Sequence, residues 1–209
     1  MIQQPLCKYR NNYWAVICCI VLISPMSFAA GSGIEDMEPP FGSGYTPELE
    51  SEKLTNKGYR SYQQALYYAT KDTPNGDAKS RTALKNAERF LRRAAKKDQK
   101  NIRAFALLGT VLALRDQPRK AIGAFNFALQ LNAKYYDAWL QRAKVLLQMG
   151  LLEDVRKSFV VLERNEPEMA TDLLASIDGW IAARQGRLQV SPLTEPENQF
   201  ISWRTAHNG

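Results

Sequence analysis

The side chains that ordinarily carry polar catalysis are scarce in this chain. Its 209 residues hold one histidine, His207, and three cysteines, Cys7, Cys18 and Cys19. A zinc site draws three or four ligands from His, Cys and acidic residues. A nucleophilic site needs an imidazole or another base held beside the nucleophile. His207 stands in a stretch without sustained apolar period, and all three cysteines precede residue 20. No glycine-rich phosphate loop of either common spacing occurs. Carboxylate pairs exist at Glu153-Asp154 and at Glu163 with Glu166. Acids in those places offset the positive end of a helix or solvate its surface. We therefore expect a protein that is not an enzyme, with no catalytic residue, no metal and no cofactor.

The elements that would position any working surface are helical. Hydrophobic residues make up 45% and charged residues 23%, enough for a core and a soluble exterior. Apolar residues recur at three- and four-residue intervals, and no segment alternates as a strand would. This periodicity predicts seven amphipathic helices, over 50–71, 79–97, 102–115, 118–131, 136–149, 152–165 and 169–184. The breaks between them carry turn residues: Asp72 to Gly76, Asp98 to Asn101, Asp116-Gln117-Pro118, Gly150 and Asn165-Glu166-Pro167. Pro118 and Pro167 suit a first helical turn, where a missing N–H costs little. The class is all-α.

The ends read differently. Lys8 and Arg10 precede an apolar run from Tyr13 to Ile23, which Ser24 and Pro25 break, and Ser27-Phe28-Ala29 has the small-x-small form of a cleavage site. That order predicts a signal peptide over 1–29 and a periplasmic or secreted product. The alternative is an uncleaved helix anchoring the chain in the inner membrane. Cys18 and Cys19 follow Val16 and Ile17, a poor context for a lipoprotein. Cleavage would remove every cysteine and leave 26 bases against 21 acids, whereas the full chain carries a net charge of +7. Such an excess favours acidic partners or anionic surfaces. Residues 30–49 read as a flexible leader rich in Gly, Pro and Ser, residues 50–186 as the helical domain, and residues 187–209 as a tail. Phe200 and Trp203 give that tail two aromatics that could dock.

Within the helical region the sequence repeats. The stretch from Ile102 carries Phe105, Leu108-Gly109 and Leu112, then Ala121, Phe125 and Ala128. One period later come Trp139, Ala143 and Leu146, then Val155, Phe159 and Pro167. One period earlier come Ala87, Leu91 and Ala94, with Tyr62, Ala65-Leu66 and Ala69 read as the displaced first half of that copy. The pattern resembles the tetratricopeptide repeat, W-x2-L-G-x2-Y followed by A-x3-F and proline, with its period of about 34 residues. The resemblance covers residues 55–186 and implies a right-handed α-hairpin solenoid of about three repeats plus a closing helix. Small residues at Gly109, Ala143, Ala121 and Ala128 would let helices cross closely. Phe105, Trp139, Phe125 and Phe159 would fill the gaps, since one hairpin cannot bury its apolar face alone.

The resemblance also implies a working surface, the concave face lined by the first helix of each repeat. Its inward positions here are Arg103, Ala106, Thr110, Ala113 and Leu114, then Asp137, Leu140, Lys144, Leu147 and Gln148. Arg103 and Lys144 would be available to a carboxylate. Alternatively Ala106, Leu140 and Leu147 only pack against neighbouring helices. The Lys/Asn/Arg clamp of some family members is absent, its places being held by Ala106, Thr110, Asp137 and Gln141. A second surface is the basic stripe of Arg89, Arg92, Arg93, Lys96, Lys97 and Lys100, continued by Arg103. It serves either as a solvated outer face or as a contact for anionic membrane or polymer. The resulting expectation is a protein-binding scaffold or assembly factor of a bacterial cell envelope, with an envelope-assembly or secretion component as partner and no nucleic acid. The alternatives are a structural or tethering protein acting through the basic face, and an accessory subunit of an exported enzyme complex.

Overall fold

The computed structural model describes residues 46–70, 75–186 and 191–207. The expected signal segment and most of the expected leader lie outside them. The described residues form eight helices and no strand: α1 Pro47–Thr70, α2 Gly76–Lys97, α3 Ile102–Leu114, α4 Pro118–Leu131, α5 Tyr136–Gln148, α6 Leu152–Asn165, α7 Pro167–Gln185 and α8 Glu195–Ala206. None is long and apolar enough to cross a membrane.

The local chemistry explains where the helices start and stop. Pro118 and Pro167 open α4 and α7. Asn101 caps α3 by accepting a hydrogen bond from the Ala104 N–H at 2.9 Å. Gly150 ends α5 in the left-handed region, at φ 72°, and the Leu151 N–H returns to the Leu146 carbonyl at 3.0 Å. Asp116 does the same after α3, at φ 57°, with the Gln117 N–H on the Leu112 carbonyl at 2.9 Å. Asp116 and Gly150 stand one period apart. The turns that follow α2 and α4 match likewise. Asp98 Oδ1 accepts from the Lys100 N–H at 2.8 Å, and Asn132 Oδ1 accepts from the Lys134 N–H at 2.9 Å.

Every helix from α1 to α7 packs on the next one in sequence, and α1, α3, α5 and α7 also touch in that order. One core cluster runs from α1 to α5 around Leu91, Leu112 and Phe125. A second runs from α5 to α8 around Leu162, Leu173, Ile177 and Phe200. Trp139 touches both, and its Nε1 donates to the Ala133 carbonyl at 2.9 Å. Leu108, Gly109, Ala121, Phe125, Ala128, Ala143 and Phe159 are buried, while Phe105 and Trp139 are half-buried. Pro167 is exposed.

The first hairpin departs from the expected register. A Cβ on Gly58 would sit 2.6 Å from Leu91 Cγ, and one on Gly109 would sit 2.7 Å from the Phe125 ring. Gly58 is therefore a close-crossing residue of α1. Gly58 and Leu91 are 33 positions apart and Gly109 and Phe125 only 16, so the chain between the crossing positions is twice as long in the first hairpin. The extra residues lengthen α1 to 24 residues and α2 to 22, against 13 and 14 for α3 and α4. α1 also starts earlier than expected, at Pro47.

The expected tail contains a docked helix. Thr194 and Glu197 form a reciprocal capping box at the start of α8, and Pro196 falls in its first turn, where it interrupts nothing. Phe200 is only 2% exposed. Its ring stacks on Trp203 at 5.3 Å and meets Trp180 edge-on at 5.9 Å, while Trp203 meets Phe159 of α6 at 5.3 Å. Arg184 of α7 binds both carboxylate oxygens of Glu197, at 2.5 and 3.0 Å, and the carbonyls of Ser191 and Pro192. These bonds, with the capping contacts from Thr194, hold the Glu197 carboxyl down at about 2. Arg204 reaches back to Asp178 at 2.8 Å. α7 and α8 thus close this end of the domain together.

Candidate partner-binding face

The inward row expected from the sequence falls on α3 and α5, which touch each other. Half of it is core. Ala106, Leu140 and Leu147 are buried, the first in the α1–α5 cluster and the other two in the α5–α8 cluster. Ala113 and Leu114 are half-buried against the first cluster. A side chain filling an interior gap cannot also offer its surface to a partner. The positions left at the surface are Arg103, Thr110, Asp137, Lys144 and Gln148. Gln148, Asp137 and Arg103 are exposed, while Thr110 and Lys144 are partly covered. The Thr110 hydroxyl donates to the Ala106 carbonyl at 3.3 Å, a bond internal to its helix.

Arg103 is already engaged. Its Nη1 donates to Asn56 Oδ1 at 2.8 Å, and its guanidinium lies 5.5 Å from the centre of the Tyr59 ring. Gln63 Nε2 in turn donates to the Tyr59 hydroxyl at 2.7 Å. Asn56, Tyr59 and Gln63 of α1 therefore join the row through Arg103. Sequence reasoning missed them because it followed Tyr62, Ala65-Leu66 and Ala69, further along α1. Gly58, the one glycine inside α1, was the available signal.

α3 is seated on α1 by a small buried polar cluster. Asn101 Nδ2 donates to Ser51 Oγ at 2.8 Å and to Thr55 Oγ1 at 3.1 Å. Ser51 Oγ donates to the Ala94 carbonyl at 2.9 Å, and Thr55 Oγ1 to the Ser51 carbonyl at 2.9 Å. Ser51 and Thr55 are buried, so each polar group has the partner that burial requires.

The basic stripe on α2 and the turn after it is solvated. Arg89, Arg92, Arg93, Lys96, Lys97 and Lys100 are all exposed, with the Arg89 guanidinium over the Phe90 ring at 5.2 Å. Arg92 pairs with Glu88 at 2.7 Å and Lys97 with Glu50 at 2.8 Å. Glu88 also binds Arg115, at the end of α3, which ties the stripe's helix to the next hairpin.

The carboxylates singled out above act locally. Glu153 pairs with Arg156 and Asp154 with Lys157, each at 3.3 Å near the start of α6. His207 ends α8, with Nδ1 2.8 Å from the Trp203 carbonyl and its ring 4.8 Å from that of Trp203. Among the described residues, no three His, Cys, Asp or Glu side chains are grouped to hold a metal ion. The arrangement offers charge, hydrogen bonds and aromatic faces for recognition. No family model matches the chain, and no curated protein matches its sequence.

Proposed function

We propose that this protein is an exported tetratricopeptide-type hairpin array that acts as a binding scaffold or assembly factor in a bacterial envelope. The observation that carries the reading is recurrence at the tetratricopeptide period, about 34 residues. Asp116 and Gly150 end their helices through the same return bond, and Asp98 and Asn132 cap the same turn. Gly58 against Leu91 and Gly109 against Phe125 give two copies of one close crossing. The serial contacts among α1, α3, α5 and α7 fit the inner layer of such an array. Export rests on Lys8, Arg10, the apolar run from Tyr13 to Ile23 and the Ser27-Phe28-Ala29 site.

In this reading a partner segment lies across α1, α3 and α5 and meets Tyr59, Gln63, Thr110, Asp137, Lys144 and Gln148. The test is photo-crosslinking in cells from a probe at Thr110, with a control probe at Arg93. A discrete protein adduct from Thr110 alone supports the reading. An adduct from Arg93 alone moves the function to the basic face, a second reading favoured by the surface position of all six of its cations. That face would meet an anionic membrane or polymer. Thr110→Arg should then abolish the Thr110-side complex while leaving the fold intact, because Thr110 is not in the core.

A further inference from the structure

Arg142 breaks the repeat. It lies one period after Leu108, which is 6% exposed in the first core cluster. A guanidinium thus occupies the place that the preceding copy gives to a buried leucine. Taking a charge partly out of water costs free energy unless a counter-charge is supplied. Burial pushes the Arg142 pKa down, while Asp154 pushes it up to a lesser degree. Among the described residues no carboxylate pairs with Arg142, and Asp154 pairs with Lys157.

The side chain is nonetheless fixed. Nη1 donates to Asn126 Oδ1 at 2.8 Å, and the guanidinium lies 4.6 Å from the centre of the Trp139 ring. Nε is shut off from solvent and donates to no acceptor. An open cavity of about 360 Å³ lies here between α4 and α5, lined by Asn126, Leu129, Gln130 and Arg142. The charge in its lining is positive, and the amides of Asn126 and Gln130 can donate to the same guest. At about 100° per residue, Arg142 lies roughly 200° around α5 from Lys144. The cavity is therefore separate from the inward row and does not depend on that row being the working surface.

We propose that this cavity is a binding site for a peptide carboxylate, with Arg142 as its anion-binding residue and the Asn126 and Gln130 amides as supporting donors. A planar guanidinium held at Nη1 by Asn126 and set 4.6 Å from the centre of the Trp139 ring presents the remaining donors of its Nη end in a fixed plane. That geometry matches a two-oxygen acceptor. The carboxylate comes from an acidic side chain or from a chain terminus, and the two sources are distinguished below.

The experiment is an NMR titration of the full chain, following the Arg142 Nε–H and the Asn126 and Gln130 side-chain amides. The probes are N-acetyl-glutamate α-amide (a side-chain carboxylate), N-acetyl-alanine (a terminal carboxylate), neutral N-acetyl-glutamine amide and inorganic phosphate. Saturable shifts with either carboxylate, and none with the neutral probe, are expected. The carboxylate that saturates at lower concentration identifies the source. Arg142→Leu restores the leucine of the preceding copy, so it should keep the core and weaken binding by about tenfold or more. Gln130→Ala, at an exposed position, should weaken it a few-fold while the Arg142 resonance stays in place. The proposal is overturned if neither carboxylate saturates, if the neutral probe gives the same shifts, if Arg142→Leu binds as well as the natural chain, or if phosphate saturates first.

Discussion

The close crossing of α3 and α4 can be tested by adding one methyl group. Alanine is favoured over glycine inside a helix by about 1 kcal/mol, wherever the added Cβ has room. Gly123 of α4 has that room, since nothing lies within 4 Å of its ideal Cβ. Gly123→Ala should therefore stabilise the protein by about 0.5–1 kcal/mol. Gly109→Ala gains the same propensity and meets an obstacle. Its Cβ would lie 2.7 to 2.8 Å from three atoms of the Phe125 ring. Carbon contacts relax to about 3.5–4.0 Å, so the ring or the helix must yield by roughly 1 Å. Phe125 is 1% exposed and has nowhere to swing. Overpacking of this kind costs about 1–3 kcal/mol. The crossing penalty wins, and the two alanine variants should differ by about 1–3 kcal/mol in opposite directions around the natural chain. Urea unfolding with an unchanged m-value is the assay. In a chain of this size each kcal/mol also moves Tm by about 2–4 °C. Phe125→Leu in the Gly109→Ala background should recover part of the loss, which a double-mutant cycle isolates. If Gly109→Ala stabilises as much as Gly123→Ala, the helices do not approach closely at Gly109, and the packing argument for the repeat fails with it.

Four other substitutions or conditions have defined outcomes. Asn101→Ala removes the α3 cap and the donor shared by Ser51 and Thr55, for an expected loss of about 2–3 kcal/mol in urea unfolding; a loss under about 0.5 kcal/mol would mean that water replaces the amide without penalty. Asp116→Gly relieves a non-glycine φ of 57° and should add about 0.5–1 kcal/mol, whereas a lower Tm would assign the carboxylate a role at the turn. Glu197 has its folded pKa depressed to about 2 from 4.5, so its stabilisation of α8 is fully present above the unfolded value and lost as pH falls through the folded one. Tryptophan fluorescence from Trp180 and Trp203 should report undocking over that acid window, and Glu197→Gln should make α8 docking insensitive to it. Phe200→Ala removes a buried ring worth about 3–5 kcal/mol, and amide exchange should accelerate over 195–206 while α3 to α6 stay protected; uniform acceleration would contradict α8 as a peripheral closing element.

The helices from α3 to α7 are legible in the sequence because three kinds of signal agree there. The apolar period is regular, Pro118 and Pro167 mark two starts, and Asp116 and Gly150 mark two ends. The first hairpin is only partly legible. Counting back by a fixed period lands on Leu91 and Ala94, both buried, because no insertion lies between them and α4. The same count fails on α1, because the extra residues sit at the far end of the hairpin and a fixed period cannot cross them. Gly58 is the residue to follow, since a glycine inside a 24-residue helix costs about 1 kcal/mol unless close packing requires it. α8 escapes the pattern for a different reason. Its attachment joins one buried ring, Phe200, to two polar ties, Arg184 to Glu197 and Arg204 to Asp178, and none of these belongs to a sustained apolar period. Thr194-x-x-Glu197 is the visible trace of its start.

The surface residues are harder to read than the core, and the reason is physical. A repeat pattern fixes which positions face inward, but it cannot say which of them are covered by the next helix. It assigns Leu140 and Leu147 to a surface, yet both belong to the second core cluster, and it leaves Arg103 free where Asn56 and Tyr59 hold it. The more informative positions are those where the repeat fails to repeat. Ala106 and Leu140, or Phe125 and Phe159, are one period apart and similar in character, so packing alone accounts for them. Leu108 and Arg142 are one period apart and opposite in character. Packing would favour leucine at both, and a half-buried guanidinium without a carboxylate is less stable than the leucine it replaces. Local conflict with an otherwise consistent pattern is where a requirement other than stability shows. Arg142→Leu therefore separates the two accounts by its sign. If Arg142 serves packing, the leucine variant should lose stability. If it serves a ligand, the variant should gain stability and lose the carboxylate.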